Sequence, residues 1–324
     1  MNVRKQGCVW MLAIMASIPL QGCEQKSHEP AASQALKTPI TIEHELGTTV
    51  LDHRPQRVAV LDMNEADFLD QLGVPIAGMV KDYVPHFLAQ YKKNADIEDL
   101  GAIVQPNMER IYALHPDLIL MTPLHAANYE ELSEIAPTLH FDVSFKDSQA
   151  RHVENVENHL LALGRIFDKE ALAKEQVAQL EARVQDVQAV TKNRPEKALV
   201  VLHNNGAFSN FGVHSRYGFI FNDLGVKPAS TLEDTSLHGQ PISSEFIQQA
   251  DPDIIYIVDR TAVMEHRATI SSNDVSNPLL RQTKAWKNGN VVFVDADAWY
   301  IAAASPTSLN IIMDDVLKGY PSIS

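Results

Sequence analysis

Three residue types in this 324-residue chain could do chemistry: two cysteines, 13 histidines and 41 carboxylates. Two thiols are too few for a multi-cysteine zinc or iron–sulfur centre or for a disulfide scaffold. Histidines signal a metal site when they recur four residues apart on one helix or crowd one loop, and none here does so. Asp295 and Asp297 are a carboxylate pair, but they read as the boundary of a turn after a strand. There is no Gly-x-Ser-x-Gly elbow, no Walker phosphate loop and no Gly-x-Gly-x-x-Gly. An enzyme is therefore not the expectation. A net charge of −14, with 27 bases, also argues against a nucleic-acid partner, because phosphate binding needs a basic surface.

The start of the chain concerns compartment. Arg4 and Lys5 precede an apolar run from Val9 to Leu20. That run is shorter than the roughly 20 residues a membrane span needs, and it has the length of a signal-peptide core. It ends in Leu20-Gln21-Gly22-Cys23, which resembles the lipobox of bacterial lipoproteins. The resemblance implies cleavage before Cys23 and lipidation of its thiol. Cys8 would leave with residues 1–22, so the mature chain would keep no thiol for catalysis or a disulfide. Residues 23–38 carry Gln, Ser, His, Pro, Ala and Lys without an apolar period and read as a flexible tether. The chain beyond the tether is expected to be an exported soluble domain.

The remaining composition is ordinary for a globular protein, with 45% hydrophobic and 21% charged residues. Its length suits two lobes of roughly 100–150 residues each. Val58 to Leu61 and Ala198 to Leu202 are buried-strand patterns. Each is followed by a helix pattern, stopped at Leu72-Gly73-Val74 and Leu224-Gly225-Val226. A sharper match joins Glu109…Pro116-Asp117-Leu-Ile-Leu to Glu245…Pro252-Asp253-Ile-Ile-Tyr, with the same Glu-to-Pro spacing in both. Each copy predicts a short helix, a proline stop and a buried strand. The repeat implies two related α/β lobes, at 39–148 and 195–324, each a doubly wound sheet. Between them, 149–194 predicts a helical connector with a break near Gly164 and Asp168, Asp168 capping the second helix. Leu172, Val177, Leu180, Val184 and Val187 give that helix an apolar stripe. A long rigid helix joining the lobes implies little hinge movement. Doubly wound sheets bind ligands beyond the carboxyl ends of their strands, so a cleft between the lobes is the expected site.

The lipobox, the paired lobes and the connector together resemble the periplasmic binding lipoproteins of bacterial iron–siderophore ABC importers, the class III substrate-binding proteins. The resemblance covers about residues 39–320. It is carried by Ser215-Arg216-Tyr217-Gly218, Leu237-His238-Gly239-Gln240-Pro241-Ile242, Val258-Asp259-Arg260 and Asp297-Ala298-Trp299-Tyr300. These stretches look most like the subgroup accepting ferric catecholates, including tetradentate ones. The resemblance implies that His238 and Tyr300 complete the iron's coordination. It also implies that Arg216 and Arg260, with Tyr217 and Trp299, bind the siderophore. Ferric iron is hard and prefers oxygen donors, with imidazole an accepted ligand. A tetradentate chelator leaves two positions open, which a phenolate and a neutral imidazole can fill. Guanidinium groups suit anionic catecholate oxygens better than ammonium groups do. The resemblance further implies that Glu109 and Glu245 dock on a permease served by a separate ATPase, and that the protein is a monomer.

The chain departs from the family in two places. Its first lobe has no third cleft arginine: Pro123 to Tyr129 offers only His125 as a cation. After Tyr300, Ile301 to Pro306 replaces the family's frequent glycine-rich turn. Fewer fixed positive charges suggest a less anionic cargo, such as a mixed catecholate–hydroxamate chelate. The expected ligand is a transported Fe(III)–siderophore, with no permanent cofactor. The alternatives are haem, cobalamin or a bare metal, for which His203 and His214 lie near the second lobe's cleft edge. The short basic start and low lysine content suggest a Gram-negative periplasm, with the lipid on Cys23 holding the protein to a membrane.

Overall fold

The computed structural model describes residues 35–143, 151–232, 236–275 and 277–320. The expected signal peptide, Cys23 and most of the expected tether lie outside them. A hairpin comes first, β1 (Ala35–His44) and β2 (Gly47–His53). It begins inside the segment read as tether, so that segment's expected end at residue 38 is too late. The first lobe comes next: β3 (Val58–Val60), α1 (Met63–Leu72), β4 (Gly78–Met79), β5 (Glu98–Asp99), α2 (Met108–Leu114), β6 (Leu118–Met121) and β7 (Thr138–His140). The connector is α3 (His152–Ile166) and α4 (Glu170–Thr191). The second lobe holds β8 (Lys197–Asn204), β9 (Ala207–Phe211), β10 (Gln240–Ile242), α5 (Ser244–Ala250), β11 (Ile254–Asp259), β12 (Val291–Phe293) and α6 (Pro306–Lys318).

The first sheet runs β5-β4-β3-β6-β7 with every neighbouring pair parallel. The chain order reverses between β3 and β6, which opens a crevice at their carboxyl ends. The second sheet runs β10-β9-β8-β11-β12. Its β8, β11 and β12 are parallel, whereas β9 and β10 pair antiparallel, so this lobe is a mixed sheet. The central strands are buried along their whole length, as expected when helices cover both faces. Alternation in β8 divides the core: Val200 and Leu202 join the apolar cluster that continues into the first lobe, while Leu199 and Val201 join a second cluster with Ile255 and Ile257.

The internal repeat is physical. Asn107 and Ser243 cap α2 and α5 by accepting the backbone N–H of Arg110 and Phe246. Both helices have seven residues, and both stop at a left-handed residue, His115 (φ 49°) and Asp251 (φ 41°). Asp117 and Asp253 then accept backbone N–H groups of Arg57 and Lys197, at 2.8 and 2.9 Å, which registers β6 on β3 and β11 on β8.

The connector breaks at Phe167–Lys169, but not as expected. Asp168 does not cap α4; it sits at φ 59° with its carboxylate 3.0 Å from Arg54. Gly164 lies within α3, where a Cβ would come 2.5 Å from that of Ala173, so it permits close packing of the two helices. The 22 residues of α4 extend about 33 Å at 1.5 Å per residue. Gln176 donates to Gln71 O in the first lobe, and Gln188 and Thr191 donate to Asp223 O and Leu224 O in the second. Among the described residues, no helix is long and apolar enough to cross a membrane.

Candidate functional site

A cavity of about 350 Å³ lies between the lobes, beyond the carboxyl ends of the central strands. The second lobe contributes Arg216, Leu237, His238, Arg260, Met264, Tyr300 and Ile301; the first contributes Asp62, Tyr83, Ile103, Val104 and Leu124. A neighbouring cavity of about 390 Å³ shares Tyr83 and includes His86, Lys92, His266, Arg267, Asp295 and Asp297.

Each polar group is held by local structure. Arg260 is the first residue after β11, where Asp259 caps the next helix and takes Arg267 Nη1 at 3.0 Å. Tyr300 stands on a π-helical turn, Asp297–Ile301, a widened geometry frequent at functional sites. Arg260 Nε donates to Tyr300 Oη at 2.8 Å, and Arg216 Nη2 donates to Tyr300 O at 3.1 Å. Both guanidinium carbons lie over the Tyr300 ring, at 5.4 Å for Arg216 and 5.7 Å for Arg260. His238 faces the same ring, with centroids 6.5 Å apart and planes 21° from parallel. Its turn depends on Gly239, at φ 73°, where a Cβ would meet Asn210 O at 2.7 Å. Burial, then Arg260 and Arg216, hold the His238 imidazole below its ordinary pKa. It is therefore neutral near pH 7, the form that ligates metal. A phenol oxygen, a neutral imidazole and two guanidinium groups thus share one side of the cleft.

Three expected ligand contacts need correction. Trp299 and Tyr217 are fully buried and line neither cavity. The π-turn points Trp299 into the core, where its indole N–H donates to Asp315 at 3.0 Å. Tyr217, whose phenol burial pushes up to about 12, donates to Trp299 O at 2.7 Å and so braces the turn from behind. His125 is buried too, bonding Ile103 O at 2.7 Å through Nε2; burial lowers its pKa, so it supplies no cleft cation. Its neighbour Leu124 faces the cavity instead.

Glu109 and Glu245 lie exposed in the first turns of α2 and α5, outside both cavities. His203 is tied at both ring nitrogens, by Asp259 at 3.4 Å and by Gly206 N–H at 3.0 Å. His214 is exposed and does not line the cavity. Asp295 bounds the turn as expected, accepting Ala298 N–H at 2.9 Å. It also takes His86 of the first lobe at 2.7 Å, while Asp297 takes the His86 backbone N–H at 3.0 Å. Asp62 and Tyr83 carry no sequence motif and emerge only with the fold. Both come just after strand ends of the first sheet, and that position alone marks them as candidates.

The chain is similar over most of its length to several known binding proteins. The ferric-anguibactin-binding protein FatB of Vibrio anguillarum is 64% identical over 96% of this chain and 97% of its own length. The siderophore-binding protein BauB, solved with two molecules of acinetobactin and ferric iron, superposes with a TM-score of 0.85 at 71% identity, covering 88% of this chain and 99% of BauB. The catecholate-siderophore-binding protein VctP of Vibrio cholerae gives 0.81 at 30% identity, covering 86% of this chain and 99% of VctP. The sequence pattern that describes periplasmic binding proteins matches residues 58–298, well over half of the chain. By that match and by its likeness to FatB, the chain belongs to the periplasmic binding protein family.

Proposed function

We propose that the protein captures a ferric siderophore in the cleft between its lobes and delivers it to an ABC permease. The observation that carries this reading is the grouping of Tyr300, His238, Arg216 and Arg260 around one cavity. Tyr300 and His238 supply the oxygen and nitrogen donors that a tetradentate chelator leaves unfilled on ferric iron. Arg260 holds the phenol oxygen through Nε, and with Arg216 it neutralises the chelate's negative charge. Ile103, Val104, Leu124, Leu237 and Met264 give the aromatic part of a catechol an apolar wall. Two adjoining cavities suit a bulky complex, in keeping with the two chelators in BauB. Two arginines, with a neutral His125, favour a cargo of modest negative charge, catecholate or mixed catecholate in type. Binding is non-covalent and reversible, and no chemical step comes after capture.

The direct test is a fluorescence-quenching titration of the mature chain with a ferric bis-catecholate, compared with a His238→Ala, Tyr300→Phe double variant. Affinity should fall at least tenfold, about 1.4 kcal/mol, and the charge-transfer band should shift. Equal binding by both proteins would end the case for direct iron ligation.

Delivery engages Glu109 and Glu245, whose matching places in the two repeats suit a two-sided docking on basic permease residues. Reversing either charge to Lys should reduce iron uptake severalfold while leaving cargo affinity unchanged; a change in affinity would remove the docking role. The protein acts as a monomer in the periplasm, held to a membrane by lipid on Cys23.

A further inference from the structure

A second cluster of ligating groups lies away from the cleft, where the first hairpin meets the edge of the first sheet. Glu45 is in the turn between β1 and β2, His140 ends the edge strand β7, and Asp142 comes two residues later. One ligand atom from each lies within 4.8 Å of the others. None of the three lines either cleft cavity.

We propose that Glu45, His140 and Asp142 form a site for a divalent transition-metal ion of the zinc type. His140 is only 3% exposed, and its Nδ1 is 2.7 Å from Asp142 Oδ1. The same carboxylate accepts the Glu45 backbone N–H at 3.0 and 3.2 Å, which draws the hairpin turn toward the histidine. Carboxylate oxygens have lone pairs to spare for a metal while keeping that bond. The metal would replace the proton between His140 and Asp142. Zinc bonds of about 2.0–2.1 Å in tetrahedral array separate ligand atoms by roughly 3.3 Å, so His140 and Asp142 need spread only slightly. The exposed Glu45 side chain closes the set.

Two ring nitrogens beside the cluster also lack partners. His140 Nε2 is buried with no hydrogen-bond partner among the described residues, and so is Nδ1 of His44. Buried polar atoms are normally satisfied. The two rings are 6.0 Å apart, and both border a cavity of about 220 Å³ with Asp142 and His159. A water would fill the fourth position. One imidazole with carboxylates suits zinc better than calcium, which takes oxygen ligands, or copper(I), which takes sulfur. A bound ion would staple the hairpin to the lobe.

The test is isothermal titration of the mature chain with zinc chloride. One zinc per chain is expected, retained by the His238→Ala, Tyr300→Phe variant and weakened at least tenfold by Glu45→Ala, Asp142→Asn and His140→Ala. Glu45 is exposed, so Glu45→Ala keeps the test decisive even where the buried His140→Ala misfolds; circular dichroism without metal identifies that case. No zinc uptake, uptake unchanged in Glu45→Ala and Asp142→Asn, or uptake lost only in the cleft variant would overturn the proposal. Siderophore binding is read separately and does not bear on it.

Discussion

The two lobes share a helix–proline–strand unit, yet they meet the cleft with different chemistry. The second lobe presents Arg216, His238, Arg260 and Tyr300. The first presents Ile103, Val104, Leu124, Tyr83 and the buried edge of Asp62. Around this cavity the first lobe is not short of ionisable groups; it keeps several of them inside. Glu65 is fully buried against His159 at 2.8 Å, and Asp67 accepts the Thr307 N–H at 2.8 Å across the lobe boundary. One repeat thus uses its charges to hold the structure and leaves a shaped wall. The other exposes them to a ligand. A shared backbone plan fixes where side chains can meet the cleft, not which chemistry they bring.

That contrast is open to a double test. His159→Ala would leave the Glu65 carboxyl buried without its partner, which typically costs about 3–5 kcal/mol. We expect a loss of about 3 kcal/mol in chemical denaturation with cargo affinity unchanged. Arg260→Met should do the reverse: affinity falls about ten- to a hundredfold, as for loss of a charged hydrogen bond of about 1.5–3 kcal/mol, while stability barely moves. If both variants lose both properties, the division between the lobes is wrong.

A smaller effect lies where the connector meets the second lobe. His152 donates through Nε2 to Ala303 O at 2.8 Å and stacks on Phe219 at 4.2 Å. Burial, with the Arg216 charge adding to it, lowers its pKa to about 4. The unfolded chain therefore binds a proton that the native state refuses between pH 6.5 and 4. Stability should fall with acidification through that window, by at most about 1.4 kcal/mol per pH unit from this group. Denaturant titrations at several pH values would show it, and His152→Gln should flatten the slope. An unchanged slope would mean that His152 is not the group that titrates in this window.

The repeat is legible in the sequence because Glu109…Pro116 and Glu245…Pro252 combine helix caps, a stop and an apolar run at fixed spacing. The antiparallel half of the second sheet is less so, although Asn205-Gly206 is a hairpin signal. Those two residues sit at φ 49° and 84° between paired Asn204 and Ala207. His238, Tyr300 and both arginines are visible through family motifs, and the geometry brings all four to one cavity. Tyr217, Trp299 and His125 depart from expectation because adjacency in sequence is not adjacency in the cleft. A π-turn and a 3₁₀ turn send neighbours to opposite sides, Tyr300 and Leu124 outward, Trp299 and His125 inward. Direction along a turn depends on backbone hydrogen bonding over several residues, which residue type alone does not reveal.

The finest test rebuilds the missing symmetry. Leu124 is 40% exposed at the first lobe's edge of the cavity. Leu124→Arg would place a cation opposite Arg216 and Arg260. A partly solvated charge is worth up to about 1 kcal/mol, so the gain should be about threefold. It should appear for a strongly anionic ferric bis-catecholate, shrink for a less charged mixed chelate, and fade as salt rises past about 0.15 M. Leu124→Ala separates loss of apolar contact from gain of charge. An equal change for both chelates would mean that the first lobe selects by shape alone. A gain confined to the more anionic one would mean that the lobe's apolar wall is itself the charge filter, excluding cargo by the cation it withholds.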